Sequence, residues 1–430
     1  MSFRQAKTAT KDAMWRKGTV INMQDRVILH CDANSFFASV EMVFHPEYRD
    51  VPMAVCGNEE ERRGIVLAKN QAAKKYRIET AETVYSARKK CPHLITVPPR
   101  YHEYEKFSRE LNRIYARYTD LVEPFGIDES WLDVTGSQKL FGDGKAIAER
   151  IRREVKEKLN ITVSIGVSLN KVFAKLGSDY RKPDAITEIS RDNMGQIVFP
   201  LPVGSLLFVG RKTAEALERI GIRTVRDLAS TSPLFLEKQF GKHGILMSLY
   251  ARGEDDSPVL PPPEENHAKS IGSGMTFPQN LIGEGMVREG LYPLAEEVAT
   301  QMRRTGRVCS TVSLTIRDEF LHTISRQQAV SPPTDIAASL IENAIEIYRR
   351  EWSPVKPIRM LTLTAMNLTE REAQQIGLFD DEKEDSKRQK RRELEKTVDA
   401  IRTKYGGDSL AYGRTKDKKL PQVRPHHKDT

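Results

Sequence analysis

Apolar positions along this chain switch between short runs and helical stripes, and the changes of period mark out its elements. Val27-Ile28-Leu29-His30-Cys31-Asp32 is a short, mostly apolar run that predicts a strand ending on a carboxylate, and the apolar-rich stretch from Phe36 to Val43 predicts a helix after it. Tyr104, Phe107, Leu111, Ile114, Tyr115 and Tyr118 recur at spacings that put them on one face of a long helix. Leu121-Val122-Glu123 and Trp131-Leu132-Asp133-Val134 then flank Gly126-Ile127-Asp128-Glu129, which predicts two antiparallel strands with acidic residues near their connection. Ile147, Ile151, Val155 and Leu159 predict a second helix, and residues 161–167 another strand. The order is β-α-β-β-α-β, a split ferredoxin-like unit.

The pattern changes after residue 200. Residues 206–229 read as short helical pieces around Val209-Gly210-Arg211-Lys212-Thr213, and residues 255–267, with four prolines among acidic residues, read as a linker. Strand-like runs at 270–277, 311–316, 322–330 and 358–366, with helical stretches near 291–304 and 335–350, predict a second α+β unit. Beyond residue 380 a charge run contains Leu394, Val398, Ile401 and Tyr405 at helical spacing, predicting one short amphipathic helix in a solvated tail.

Composition narrows the class. The chain has 430 residues, 39% hydrophobic and 30% charged, which is globular usage. Cys31, Cys56, Cys91 and Cys309 lie far apart with no zinc-like spacing, and no stretch approaches 18 apolar residues, so a disulfide framework, structural zinc and a membrane span are not expected and a cytoplasmic location is. The net charge of +9 resides almost wholly in residues 387–430, with 14 Lys and Arg against 6 Asp and Glu. The folded part is near neutral, so a nucleic-acid reading must rest on sites.

Asp32 at a strand end and the pair Asp128-Glu129 at a hairpin are the sharpest chemical constellation. If their strands are neighbours, three carboxylates meet at one sheet edge, and their repulsion calls for divalent cations. Hard oxygen ligands favour Mg²⁺, and two such ions would serve in-line phosphoryl transfer. No Walker-type phosphate loop is present; instead Lys69, Lys74 and Lys75, in one predicted helical segment, and Lys171, Lys175, Arg181 and Lys182 supply positive charge that could hold a triphosphate.

Three segments carry a resemblance. Cys31-Asp32-Ala33-Asn34-Ser35-Phe36-Phe37-Ala38-Ser39-Val40-Glu41, Gly126-Ile127-Asp128-Glu129-Ser130-Trp131-Leu132-Asp133 and Asn170-Lys171-Val172-Phe173-Ala174-Lys175-Leu176-Gly177-Ser178-Asp179-Tyr180-Arg181-Lys182-Pro183 resemble the signature segments of the Y-family translesion DNA polymerases, in order and spacing. The similarity runs from about residue 27 to 379 and is greatest to the bacterial DNA polymerase IV branch, with some UmuC-like features. The resemblance implies an α+β right-hand fold: a polar leader (1–24), a split β-α-β-β-α-β palm (25–43 and 102–200), small fingers (44–101), a helix-hairpin-helix thumb (201–254), a linker (255–267), an α+β little finger (268–368) and a tail (369–430).

It also implies roles. Asp32, Asp128 and Glu129 would be the catalytic metal ligands for two Mg²⁺, with the Ala33 carbonyl completing a site. Phe37 would be the steric gate against a ribose hydroxyl, Phe36 would lie beside the nucleotide, and Lys74 and Lys182 would hold the triphosphate. Ala68 and Gln71 depart from the hydroxyl and aromatic residues many members carry near the phosphates. Gly210, Lys212 and Thr213 resemble the thumb hairpin that binds a DNA phosphate, although Phe208 stands where the usual pattern has Gly. Arg303, Arg304, Arg307 and Arg317 are candidate phosphate contacts of the little finger, and Gln375, Leu378 and Phe379 resemble a peptide that binds the bacterial sliding clamp.

The expected function is template-directed, low-fidelity translesion synthesis from dNTPs on primer-template DNA by a monomer, without a proofreading exonuclease. Two alternatives stand beside it: a non-catalytic DNA- and clamp-binding scaffold, and a non-templated nucleotidyltransferase.

Overall fold

The structure is a computed structural model that describes residues 26–60, 62–261, 268–370, 382–406 and 409–410. Its contacts divide into two compact units. The first takes in residues up to Val55, Ala68–Ile78 and the chain from Cys91 through the thumb; the second takes in Cys56–Leu67, Glu79–Lys90 and the C-terminal part.

The first unit is built on a sheet of five strands in the order β5-β6-β1-β7-β8. These are β1 (Ile28–Ala33), β5 (Val122–Pro124), β6 (Glu129–Asp133), β7 (Val163–Ser168) and β8 (Ile186–Ile189). β1 is central, antiparallel to both β6 and β7, and all six of its residues are buried. Burial on both faces explains its mostly apolar sequence. With α1 (Phe36–Phe44) after β1 and α4 (Tyr101–Tyr115) before β5, the predicted β-α-β-β-α-β order is present, interrupted by the fingers elements β2 (Met53–Cys56), β3 (Val66–Lys69), α2 (Gln71–Lys74), α3 (Val84–Lys90) and β4 (Ile95–Val97). One sheet face packs Leu29, Cys31 and Ala33 against Tyr104, Leu111 and Ile114 of α4 and Ile147, Ile151 and Val155 of α5 (Gly144–Leu159).

Helix α6 (Lys171–Tyr180) crosses the opposite face. Its approach requires glycine: a Cβ on Gly166 would stand 1.8 Å from the Ala174 carbonyl oxygen, and one on Gly177 would stand 2.9 Å from the Gly166 Cα. Asn170 caps the helix by accepting from the Phe173 N–H at 2.8 Å. This seating brings Lys175 and Lys182 to the acidic end of β1 and β6.

The thumb helices α7 (Arg211–Arg219), α8 (Val225–Ser230), α9 (Pro233–Phe240) and α10 (Lys242–Arg252) share a core with Val172, Phe173 and Leu176 of α6. The expected linker begins as a docked strap. Val259 is 3% exposed beside Ile28, Trp131 and Ala174, the Arg26 guanidinium donates to the Ser257 carbonyl at 3.0 Å, and the Leu260 N–H donates to Glu123 at 2.8 Å.

In the second unit, β9 (Ser270–Leu281), β10 (Arg307–Arg317), β11 (Thr323–Thr334) and β12 (Ile358–Glu370) form an antiparallel sheet in the order β11-β10-β12-β9. Helices α11 (Gly283–Arg304) and α12 (Ala337–Glu351) cover one face through Leu291, Leu294, Val298, Leu340, Ala344 and Tyr348.

The tail departs from expectation. α13 (Glu382–Tyr405) has 24 residues, and Leu394 and Tyr405 of the predicted apolar stripe are 63% and 66% exposed. The neighbouring polar stripe docks instead. Glu395 and Asp399 both pair with Arg303, Arg392 pairs with Asp335 at 2.7 Å, and Arg402 pairs with Glu296 at 2.6 Å. Arg303, with a side chain 6% exposed, is therefore a structural ion-pair centre and not a phosphate contact. Burial pushes the Glu395 carboxyl up to about 7 despite Arg303 and the Ala337 N–H. Arg303→Met should cost about 3–5 kcal/mol by leaving two carboxylates unpaired, and hydrogen exchange should show α13 losing protection before β10. Unchanged protection of α13 would contradict this docking.

Candidate active site

The strand register assembles the acidic end of the sheet. Asp32, the fifth residue of β1, sits opposite Glu129, the first residue of β6, and the Ala33 N–H donates to the Asp128 carbonyl at 3.0 Å. The turn into α1 is fixed by Asn34, 5% exposed: its Nδ2 donates to Ser164 Oγ at 2.8 Å, and its Oδ1 accepts from the Asp184 N–H at 2.8 Å and Thr162 Oγ1 at 3.0 Å. These bonds offset the left-handed backbone of Ser35, at φ 49°, the residue from which the helix starts.

Burial and the neighbouring ammoniums set the three carboxylates apart. Burial pushes the Asp32 carboxyl up to about 6 against the pull of Lys182, with Glu129 and Asp128 adding repulsion. Asp128 is likewise raised, by burial and by Glu129. Glu129 goes the other way: burial alone would raise it, but the adjacent His30 ring and the Lys175 ammonium bring it to about 2.

Ammonium groups stand against the carboxylates. Lys182 Nζ lies 2.6 Å from Asp32 Oδ2 and 2.7 Å from Asp179 Oδ1, and Lys175 pairs with Glu129. Among the described residues, no three His, Cys, Asp or Glu side chains are closed into a metal-holding set. The donor chemistry nevertheless fits a hard divalent cation: buried Asp32 and half-buried Asp128 and Glu129 offer carboxylate oxygens, two of the three carboxyls with raised pKa.

Lys74, at the end of α2, belongs to the same electrostatic group. Burial, together with the ammoniums of Lys69 and Lys182, lowers its pKa. Lys69 itself ends β3, so the predicted single helix through Lys69, Lys74 and Lys75 is in fact a strand, Asn70 as cap, and a one-turn helix. Lys171 is committed elsewhere, 2.6 Å from Glu123 and 4.6 Å above the Trp131 ring. Arg181 lies over the ring of Tyr180.

Phe37 and Phe36 part company. Phe36 is 3% exposed, its side chain turned inward by α1 into the core beneath the sheet. Phe37 is half-buried and stacks on Tyr104. In the thumb, Gly210 immediately precedes α7, a Cβ there would meet nothing within 4 Å, and Lys212 is exposed. Phe208, standing where the usual pattern has Gly, takes a left-handed φ of 66° and is 54% exposed. Gln375, Leu378 and Phe379 lie outside the described residues.

His30 belongs to none of the motifs that the sequence displays. Fully buried, it places Nδ1 2.8 Å from Ser178 Oγ and Nε2 3.2 Å from Glu129 Oε2. Its period-two spacing from Asp32, on a strand facing Glu129, is the signal that could have found it.

Sequence models of the impB/mucB/samB family and of its C-terminal domain match residues 31–179 and 268–378. DNA polymerase IV of Acetivibrio thermocellus is 45% identical over 389 residues, covering 90% of this chain and 97% of its own length. The chain belongs to the DNA polymerase IV branch of the Y-family DNA polymerases. A second member, DNA polymerase IV of Moorella thermoacetica, is 35% identical over 89% of this chain and 94% of its own. Among solved structures, the Y-family DNA polymerase chimera Dbh-Dpo4(243-245)-Dbh matches with a TM-score of 0.70 and 25% identity, covering 80% of this chain and all of its own. That likeness is to a right-hand polymerase fold, and Y-family membership carries dependence on a divalent metal. No helix among the described residues is long and apolar enough to cross a membrane.

Proposed function

We propose that this Y-family polymerase performs template-directed translesion DNA synthesis with Asp32, Asp128 and Glu129 as its metal-binding carboxylates, assisted by the Ala33 carbonyl. The observation that carries the reading is the facing register of Asp32 and Glu129, with Lys182, Lys175 and Lys74 drawn to the same end of the sheet. When bound, two Mg²⁺ would supply Lewis acidity, activating the primer 3′-hydroxyl and offsetting charge on the departing pyrophosphate.

The chain's own residues do the rest. An incoming dNTP gives Lys182 a polyanion to exchange for Asp32, which frees that carboxylate as the triphosphate binds. Lys74, held among other ammoniums, gains most from a tetra-anionic ligand. Phe37 presents its ring at C2′ of the sugar. Gly210, Lys212 and Thr213 open α7 toward a backbone phosphate of DNA, a contact that positions the duplex without reading its sequence. The little finger grips the same duplex, with Arg304, Arg307 and Arg317 as candidate contacts.

Synthesis past damage is tested on a primer ending one base before an abasic site. The protein should extend across it with dNTPs, and arrest at every lesion together with ready extension on undamaged template would overturn the translesion part. Gln375, Leu378 and Phe379 are the proposed anchor for a bacterial sliding clamp, on a cytoplasmic monomer. Leu378→Ala with Phe379→Ala should remove the increase in product length that a loaded clamp gives; full clamp-dependent lengthening would contradict the assignment.

A further inference from the structure

The ring of Phe37 is backed by a residue outside the signature segments. Tyr104 of α4 stacks on it with centroids 4.1 Å apart and planes 13° from parallel, while Tyr101 meets it edge-on at 5.8 Å and 88°. Tyr104 is fully buried, and its hydroxyl donates a 2.7 Å hydrogen bond to Glu41 Oε1. Glu41 lies one helical turn beyond Phe37 on α1 and is only 2% exposed.

A carboxylate at that depth is tolerable only if paired. Arg100 pairs it: Nε lies 3.1 Å from each oxygen and Nη2 2.5 Å from Oε2, while the guanidinium also covers the ring of Phe44 at 4.6 Å. The result is a keyed stack. Arg100 and Tyr104 hold Glu41 from two sides, and the plane of Tyr104, fixed by that bond and by burial, fixes the plane of Phe37. A core could fill the same volume without a buried carboxylate.

We propose that Tyr104 is a specificity-determining positioning residue for sugar selection. It rests on the reading of Phe37 as the gate and adds what makes the gate rigid. A ring in face contact at 4.1 Å cannot retreat toward Tyr104, and a hydroxyl at C2′ can be admitted only if the gate ring moves away or tilts. An aliphatic side chain at position 104 leaves room for both.

The test compares insertion of dCTP and CTP opposite template dG by wild type, Tyr104→Leu, Tyr104→Phe and Phe37→Ala. Tyr104→Leu should lower the ratio of kcat/KM for dCTP over CTP by about tenfold or more, through better use of CTP. Tyr104→Phe keeps the stacked ring but loses the bond to Glu41, and should lower the ratio by less than Tyr104→Leu does. A purely structural role would depress both nucleotides together and leave the ratio unchanged. That result, alongside a lowered ratio for Phe37→Ala, would overturn the proposal and spare the gate. An unchanged ratio for Phe37→Ala would overturn the gate and the proposal with it. Tyr104→Met, flexible and without a flat face, serves the same comparison if Tyr104→Leu does not fold.

Discussion

Asp128→Asn lowers the rate of single-nucleotide insertion by about a thousandfold at saturating Mg²⁺, roughly 4 kcal/mol of transition-state stabilisation. The substitution removes one charge and almost no volume. Asp128 already has its pKa raised by burial and by Glu129, so a neutral amide relieves repulsion in the resting protein and should leave folding intact or slightly improved. Stability and activity are thus expected to move apart, which separates lost chemistry from lost structure. Thermal unfolding and rapid-quench insertion measured on the same preparation check it. Activity within tenfold of wild type would remove Asp128 from the reacting centre.

Phe37→Ala lowers discrimination against ribonucleotides by about a hundredfold, the upper range for one steric contact in a pocket. The effect belongs in the kcat/KM for the ribonucleotide, because the dNTP never touches the space that the ring denies. Phe37 is the half-buried member of the Phe36-Phe37 pair, while Phe36 is enclosed in the palm core, so the corresponding change at Phe36 should act on stability. Single-nucleotide insertion kinetics with matched dNTP and NTP pairs check it, and equal discrimination by variant and wild type would contradict the gate.

The palm and its carboxylates were legible because they depend on local patterns. A doubly buried central strand is mostly apolar, so the acidic residue at the end of β1 stands out, as does an acidic pair where two strands meet. The paired partners were not legible, because nothing local announces them. Lys175 and Lys182 differ from Lys171 only in what α6 brings them to: Glu129, Asp32 and Glu123 respectively. Arg303 looked like any basic residue at a helix end until α13, some ninety positions later, supplied Glu395 and Asp399. In α13 the hydrophobic stripe and the charged stripe lie side by side at the same period, and the charged one makes the ion pairs that dock the helix while Leu394 and Tyr405 stay exposed. Periodicity finds the helix but does not say which face docks. The periodicity marks Tyr104 only as a residue of the apolar face of α4; its bond to Glu41 and its stack on Phe37 come from the packing of α1 against α4.

The central claim is that the acidic end of this sheet carries out templated nucleotidyl transfer. The most direct measurement offers the purified chain a primer-template with each dNTP in turn, in Mg²⁺ and after chelation by EDTA. The account predicts insertion governed by the templating base, abolished by EDTA and restored by added Mg²⁺. Insertion indifferent to the template, or DNA binding without any insertion by a folded protein, would contradict it.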